Sequence, residues 1–398
     1  MSATHKAYDV AIIGAGISGI GAAIKLLEMG NQDFVVLEKA SDLGGTWRDN
    51  TYPGCECDVP SALYSYSFHQ NPNWSRTFAG QVEILEYVKD TATQFGVTPF
   101  IHFNQVVQHA HWIEAQGQWQ IDTADTTYYA NKVICCVGYL HEPIIPDLKG
   151  LQDFEGEWFH SSRWNHQIDL RGKRIAVIGT GASAIQFVPE IQPRAEKLFL
   201  FQRTPQWVLP KLNRSTAALE QQFYRWPFTL NSVRQSLYGM FELLGIGFRH
   251  PAILKQAQKL AQAHIDYYIK DETLRQKLTP DYTMGCKRVL MSNHYYPTLA
   301  QPNVEVLASG VNEIRGNVVV GEDGSERQVD VIILGTGFHV TDVPIADKVT
   351  GARGKTLAQQ WQGSPQAYKG TTISGFPNLF LTLGPNLVVD PIHWTAQG

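Results

Sequence analysis

One local design, a strand running through a glycine turn into a helix, occurs twice in this chain and limits its folding more than any other feature. Asp9-Val10-Ala11-Ile12-Ile13 reads as a buried strand, leading through Gly14-Ala15-Gly16-Ile17-Ser18-Gly19 into an Ala- and Leu-rich helix from Ile20 to Met29. The first glycine allows a tight turn, the second lets backbone approach a pyrophosphate, and the third lets the helix close on the strand. The helix N-terminus then favours the phosphate charge. Arg174-Ile175-Ala176-Val177-Ile178 leads in the same way into Gly179-Thr180-Gly181-Ala182-Ser183-Ala184, with alanine in the third place. The fold class implied is α/β, with two dinucleotide-binding, Rossmann-like domains built on largely parallel sheets.

The residues after each unit separate the two sites. Phe34-Val35-Val36-Leu37 reads as the next strand of the first unit and ends at Glu38-Lys39, where a carboxylate binds ribose hydroxyls. Lys197-Leu198-Phe199-Leu200-Phe201 delivers Gln202-Arg203-Thr204-Pro205 at the corresponding place in the second. A planar, permanently charged guanidinium suits a 2′-phosphate, and the absence of an acid there favours NADPH over NADH. The candidate cofactor contacts are therefore Gly14, Gly16, Ser18, Gly19, Glu38 and Lys39 at the first turn. At the second they are Gly179, Gly181, Ser183, Ala184, Arg203 and Thr204.

Charge is nearly balanced, 33 basic against 37 acidic residues, which gives no bulk field for a nucleic-acid partner. The apolar stretch from Val10 to Leu27 is broken by motif glycines and continues into a polar helix, so it reads as neither a signal peptide nor a membrane span. The five cysteines show no framework, which fits reduced thiols in a cytoplasm, and Cys55-x-Cys57 is too close for a zinc pair, so no metal is expected. No C-x-x-C pair is present, which argues against a disulfide reductase.

Three further segments carry a specific resemblance. Phe154-x-Gly156-x-x-x-His160-x-x-x-Trp164 lies between the two glycine turns and is followed by Asn165. Gly44-Gly45-Thr46-Trp47 runs through Tyr52-Pro53-Gly54 to Asp58, and Gly285-Cys286-Lys287-Arg288 follows later. Together they resemble the type I Baeyer-Villiger monooxygenases, a branch of the class B flavoprotein monooxygenases; in that pattern the residue after the tryptophan is usually proline or aspartate. The resemblance covers Tyr8 to Asn386. It implies FAD and NADPH as cofactors, with O2 and a small ketone as substrates. The reaction the resemblance implies inserts one oxygen atom next to the ketone carbonyl to give an ester or lactone, via a flavin peroxide expected to be stabilised by Arg288. Asp58 is expected to orient Arg288, Lys287 to support the NADP phosphate, and Gly45, Thr46, Trp47 and Tyr52 to pack near the flavin. His160 and Trp164 are expected in a linker that couples nicotinamide binding to domain movement. Two other outcomes stay open: oxygenation of a sulfur or nitrogen centre, or an uncoupled NADPH oxidase.

The domain reading is a first FAD segment 1–145, a first NADP segment 146–213, a helical insertion 214–282, a second NADP segment 283–338 and a second FAD segment 339–398. Relatives of this type continue past Asn386 with a glycine-rich stretch and a closing helical segment. Leu387-Val388-Val389-Asp390-Pro391-Ile392-His393-Trp394 departs from that pattern, so an incomplete second FAD segment is expected.

Overall fold

A computed structural model describes residues 5–248, 251–340 and 342–385. Asn386 and the atypical residues 387–394 lie outside the described residues. The chain divides into two compact units, one of residues 1–49, 82–142 and 338–397, the other of 50–81 and 143–337. Residues 50–81 thus group with the second unit, whereas the sequence reading kept them in a continuous 1–145 segment. The cause is local. Gly54 presses its backbone against the helix Ala184–Ile191 so closely that a Cβ there would lie 2.8 Å from the Gln186 carbonyl oxygen.

The first unit holds one eight-stranded sheet centred on His5–Ile13, which pairs in parallel with Phe34–Leu37 on one side and Thr127–Cys135 on the other. Phe34–Leu37 is buried throughout, as a parallel strand covered on both faces must be. His109–Ile113 and Gln118–Asp122 pair antiparallel, with Trp112 opposite Trp119. The outer edge of Thr127–Cys135 is shared: residues 127–130 pair antiparallel with Gln118–Asp122, while Val133–Cys135 pair in parallel with Leu379–Leu381. Val133 N–H donates to Asn378 O at 2.9 Å and Trp119 Nε1 to Pro377 O at 2.8 Å, fastening the late Phe376-Pro377-Asn378 segment to this sheet.

The second unit carries a five-stranded, wholly parallel sheet in the order Val304–Leu307, Lys197–Phe201, Arg174–Ile178, Val331–Leu334, Glu157–His160. Its inner strands are continuous apolar runs with helices packed against them. The expected helical insertion 214–282 contains helices Ala218–Tyr224, Pro227–Phe248, Pro251–Tyr268 and Glu272–Leu278. No helix among the described residues is long and apolar enough to cross a membrane.

Candidate active site

At the first glycine turn, Gly14 sits at φ +103°, and a Cβ there would lie 2.6 Å from Cys136 O. A Cβ on Gly19 would lie 1.8 Å from Gly14 O, so the helix Ile17–Glu28 can seat on the strand end only because that residue is glycine. Gly16 and Gly45 face each other backbone to backbone; a Cβ on Gly45 would stand 3.1 Å from the Gly16 Cα. Gly16 stands at the N-cap of this helix, whose positive N-terminal end favours an anion. The helix N-terminus beside exposed Ser18, flanked by glycine backbone that carries no side chains, fits a pyrophosphate.

Glu38 is 3 % exposed, and its carboxylate accepts from Ala15 N at 2.8 Å, Ala40 N at 3.0 Å and Arg48 Nη1 at 2.8 Å. Arg48 also donates to Asp42 O and to Asp49. Burial opposes the Arg48 charge, but the carboxylates of Asp49 and Glu38 outweigh it and strengthen its hold on its proton. Lys39 is engaged with Glu142 at 2.7 Å and His141 Nδ1 at 2.9 Å. Thr46 and Trp47 open a short helical turn, Thr46–Asp49, and the Trp47 ring is buried.

The second turn repeats the first. Gly179 has φ +106°, a Cβ on it would lie 2.4 Å from Gly335 O, and Gly181 has nothing within 4 Å of where a Cβ would stand. Ser183 stands at the N-cap of the helix Ala184–Ile191 with its side chain bonded to Tyr52 and not to the helix backbone, and Ala184 is fully buried beside Gly335. At the next strand end Gln202 is buried and donates to Lys277 O at 2.8 Å, while Arg203 is exposed and Thr204 O accepts from Thr180 Oγ1 at 3.3 Å. Tyr282 joins this segment to the later basic pair. Its hydroxyl donates to Pro205 O at 3.1 Å, and Lys287 Nζ lies 4.9 Å from its ring centre.

The loop after Trp47 ends in an ion pair. Tyr52 OH donates to Gln186 Oε1 at 3.0 Å, and Gln186 Nε2 donates to Glu56 O at 3.0 Å, so one side chain on the helix Ala184–Ile191 fixes both ends of the turn. Burial raises the Tyr52 phenol well above its ordinary range, keeping it a neutral donor. Two residues past Glu56, Asp58 Oδ2 accepts from Arg288 Nη2. Both members are partly open to solvent, Arg288 at 41 % and Asp58 at 32 % of the side chain.

In the segment between the glycine turns, Trp164 packs edge-on to Phe159 and at a tilt to Phe187, with ring centres 5.1 and 5.3 Å away. His160 is 2 % exposed, and its Nδ1 accepts from Ser162 N at 3.1 Å, which places the ring proton on Nε2. Burial pushes this imidazole down to about 4, the Gly337 backbone acting in the opposite sense.

Residues 7–358 match the flavin-binding monooxygenase-like family. A protein named Baeyer-Villiger monooxygenase from Streptomyces coelicolor is 50 % identical over 384 residues, covering 96 % of this chain and 74 % of that one. The chain belongs to this family, on its Baeyer-Villiger branch. Two solved structures resemble this monooxygenase along nearly its whole length. Cyclohexanone monooxygenase from Rhodococcus sp. Phi1 bound to NADP+ has a TM-score of 0.87 at 30 % identity, covering 99 % of this chain and 83 % of that one. OTEMO in complex with FAD and NADP has a TM-score of 0.88 at 29 % identity, covering 99 % and 84 %.

The sequence reading left three contributors to this monooxygenase unassigned. Arg48 stands inside a motif it quoted, and a lone arginine between a tryptophan and an aspartate does not announce a partnership with Glu38. Gln186 and Tyr282 act through folded contacts alone, and their surroundings in the sequence give no signal.

Proposed function

We propose that this monooxygenase uses NADPH, FAD and O2 to insert one oxygen atom beside the carbonyl of a small ketone, giving an ester or lactone. Support for the cofactors comes from the fit of the two glycine cradles to two pyrophosphates. In this reading Gly14, Gly16, Ser18, Gly19, Glu38, Lys39, Gly45, Thr46, Trp47 and Tyr52 hold FAD. Gly179, Gly181, Ser183, Ala184, Arg203, Thr204 and Lys287 hold NADPH. Bound FAD supplies the electron transfer and the activation of oxygen.

The observation that carries the reading is the Asp58–Arg288 pair. Arg288 presents a permanent positive charge, and negative charge developing on oxygen is stabilised most by a cation that is already in place. Asp58 holds the guanidinium through one of its two terminal nitrogens, Nη2. Arg288 keeps its proton throughout; its part is to orient and to stabilise.

The test is oxidation of cyclohexanone and of thioanisole under 18O2, with NADPH consumption and hydrogen peroxide followed together. Lactone carrying one labelled oxygen per NADPH is expected, and Arg288→Ala abolishes it while the protein keeps its flavin. Sulfoxide without lactone would mean heteroatom oxygenation, and hydrogen peroxide equal to NADPH would mean an uncoupled oxidase.

A further inference from the structure

We infer that Lys211 is a positioning residue for the Asp58–Arg288 pair, closing a ring of contacts that leaves neither partner free to move alone. The inference rests on the functional reading of that pair given above. Lys211 is 5 % exposed. Its Nζ donates to Glu56 Oε1 at 2.6 Å and to Cys57 O at 3.0 Å, and it lies 4.6 Å from the centre of the Phe78 ring. Asn213 Nδ2 donates to the other Glu56 oxygen at 3.1 Å. One ammonium thereby grips both residues that precede Asp58, and the carbonyl it takes belongs to the residue directly before it.

The backbone of Lys211 grips the other partner. Its N–H donates to Asn293 Oδ1 at 2.8 Å and its carbonyl accepts from Asn293 Nδ2 at 2.6 Å, a bidentate bracket to a residue five positions after Arg288. Just before Lys211, Val208 and Leu209 pair in parallel with Leu290 and Met291, which directly follow the Arg288-Val289 step. From Asp58 the ring therefore runs through Arg288, the short sheet 290–291 and 208–209, and Lys211, and returns through Cys57 to Asp58. Every link is a hydrogen bond, an ion pair or a few residues of chain, so moving either carboxylate or guanidinium strains the rest.

A lysine serves here for two reasons. It is long enough to reach two acceptors on adjacent residues while its stem stays buried, and three donors on one nitrogen can satisfy a carboxylate and a carbonyl together. The carboxylate of Glu56 is also within 3.9 Å of Arg76 Nη1, so it keeps a cationic neighbour when Lys211 is replaced.

The experiment is a double-mutant cycle on the flavin-loaded enzyme, with Lys211→Met, the charge-balanced double variant Glu56→Gln/Lys211→Met, Asp58→Ala, and Asp58→Ala/Lys211→Met. A panel of cyclic, linear and aryl ketones first identifies the one oxidised fastest by the wild type. Ester formed per NADPH consumed is then read with that ketone, and amide hydrogen exchange at residues 56–59 and 289–291 is read without it. Lys211→Met and the charge-balanced variant are expected to lower ester yield per NADPH at least fivefold at a near-normal rate of NADPH consumption. They are also expected to speed exchange in both segments. In the Asp58→Ala background Lys211→Met should change the yield less than twofold, because the geometry it protects is already gone.

A loss equally large in both backgrounds would show a general structural role and overturn the inference. So would wild-type yield in the charge-balanced variant while Asp58→Ala loses it. Wild-type yield in Asp58→Ala would remove the reading of the pair itself, and the inference with it.

Discussion

Gly14 and Gly179 adopt the same left-handed backbone, φ +103° and +106°, and each has a strand-end carbonyl where a side chain would go: Cys136 O for one, Gly335 O for the other. The two nucleotide units are thus built on one steric device. Gly14→Ala or Gly179→Ala combines a disfavoured φ, costing about 1–3 kcal/mol, with a backbone clash, and is expected to lower Tm in either case. Gly181→Ala meets open space instead. It should leave Tm unchanged and, if the pyrophosphate approaches this glycine as proposed, raise the KM for NADPH roughly tenfold, about 1.4 kcal/mol. Differential scanning fluorimetry and steady-state kinetics separate the two kinds of effect.

Arg203 is exposed at the end of Lys197–Phe201, beside the buried Gln202. If it binds the 2′-phosphate, Arg203→Ala removes charge-assisted hydrogen bonds of about 1.5–3 kcal/mol. The KM for NADPH then rises by about tenfold or more while that for NADH is nearly unchanged. Equal effects on both nucleotides would place the residue elsewhere in binding.

His160 gives a pH dependence with a definite sign. An imidazole free in the unfolded chain titrates near 6.5, whereas burial holds the folded one down to about 4. As pH falls through 6.5 the unfolded chain gains a proton that the folded chain does not, so stability contributed by the neutral ring is complete above 6.5 and is lost between 6.5 and 4. At the acid end this amounts to roughly 3 kcal/mol. Wild-type Tm should fall more steeply across this window than that of His160→Gln, measured in one buffer series.

Among the five cysteines Cys286 is exposed, while the other four are buried or largely so. Burial raises the thiols of Cys55 and Cys136 to about 12 and that of Cys135 to about 11, and lifts Cys57 as well. Thiolates react and buried neutral thiols do not. The native enzyme is expected to titrate one thiol rapidly with Ellman's reagent and the remaining four only in denaturant. Cys286→Ser should abolish the fast phase.

The sequence makes the two glycine turns and their flanking strands legible because parallel strands buried on both faces must be continuous apolar runs, as Phe34–Leu37 and Arg174–Ile178 are. Gln118–Asp122 is legible for the opposite reason, since Trp119 and Ile121 are buried and alternate with the half-buried Gln118, Gln120 and Asp122. The grouping of residues 50–81 is not legible, since the contacts that go with it, such as Gly54 against Gln186 and Glu56 with Lys211, span more than a hundred residues. Asp58 and Arg288 can be singled out by resemblance. The contacts that brace them cannot, because Lys211, Asn293 and Gln186 owe their roles to partners that only the folded chain brings near.

The shared edge of Thr127–Cys135 bears on the order in which the protein can be made. Chains emerge from the ribosome N-terminus first, and the apolar stretch Val133–Cys135 must wait for Leu379–Leu381 to be synthesised before its edge is paired. During that wait it is an open template for another strand. The five-stranded sheet of the second unit draws all its strands from between Glu157 and Leu334, and can close earlier. The unit begun first is therefore completed last, and nascent chains halted before Leu379 should be the species that chaperones retain.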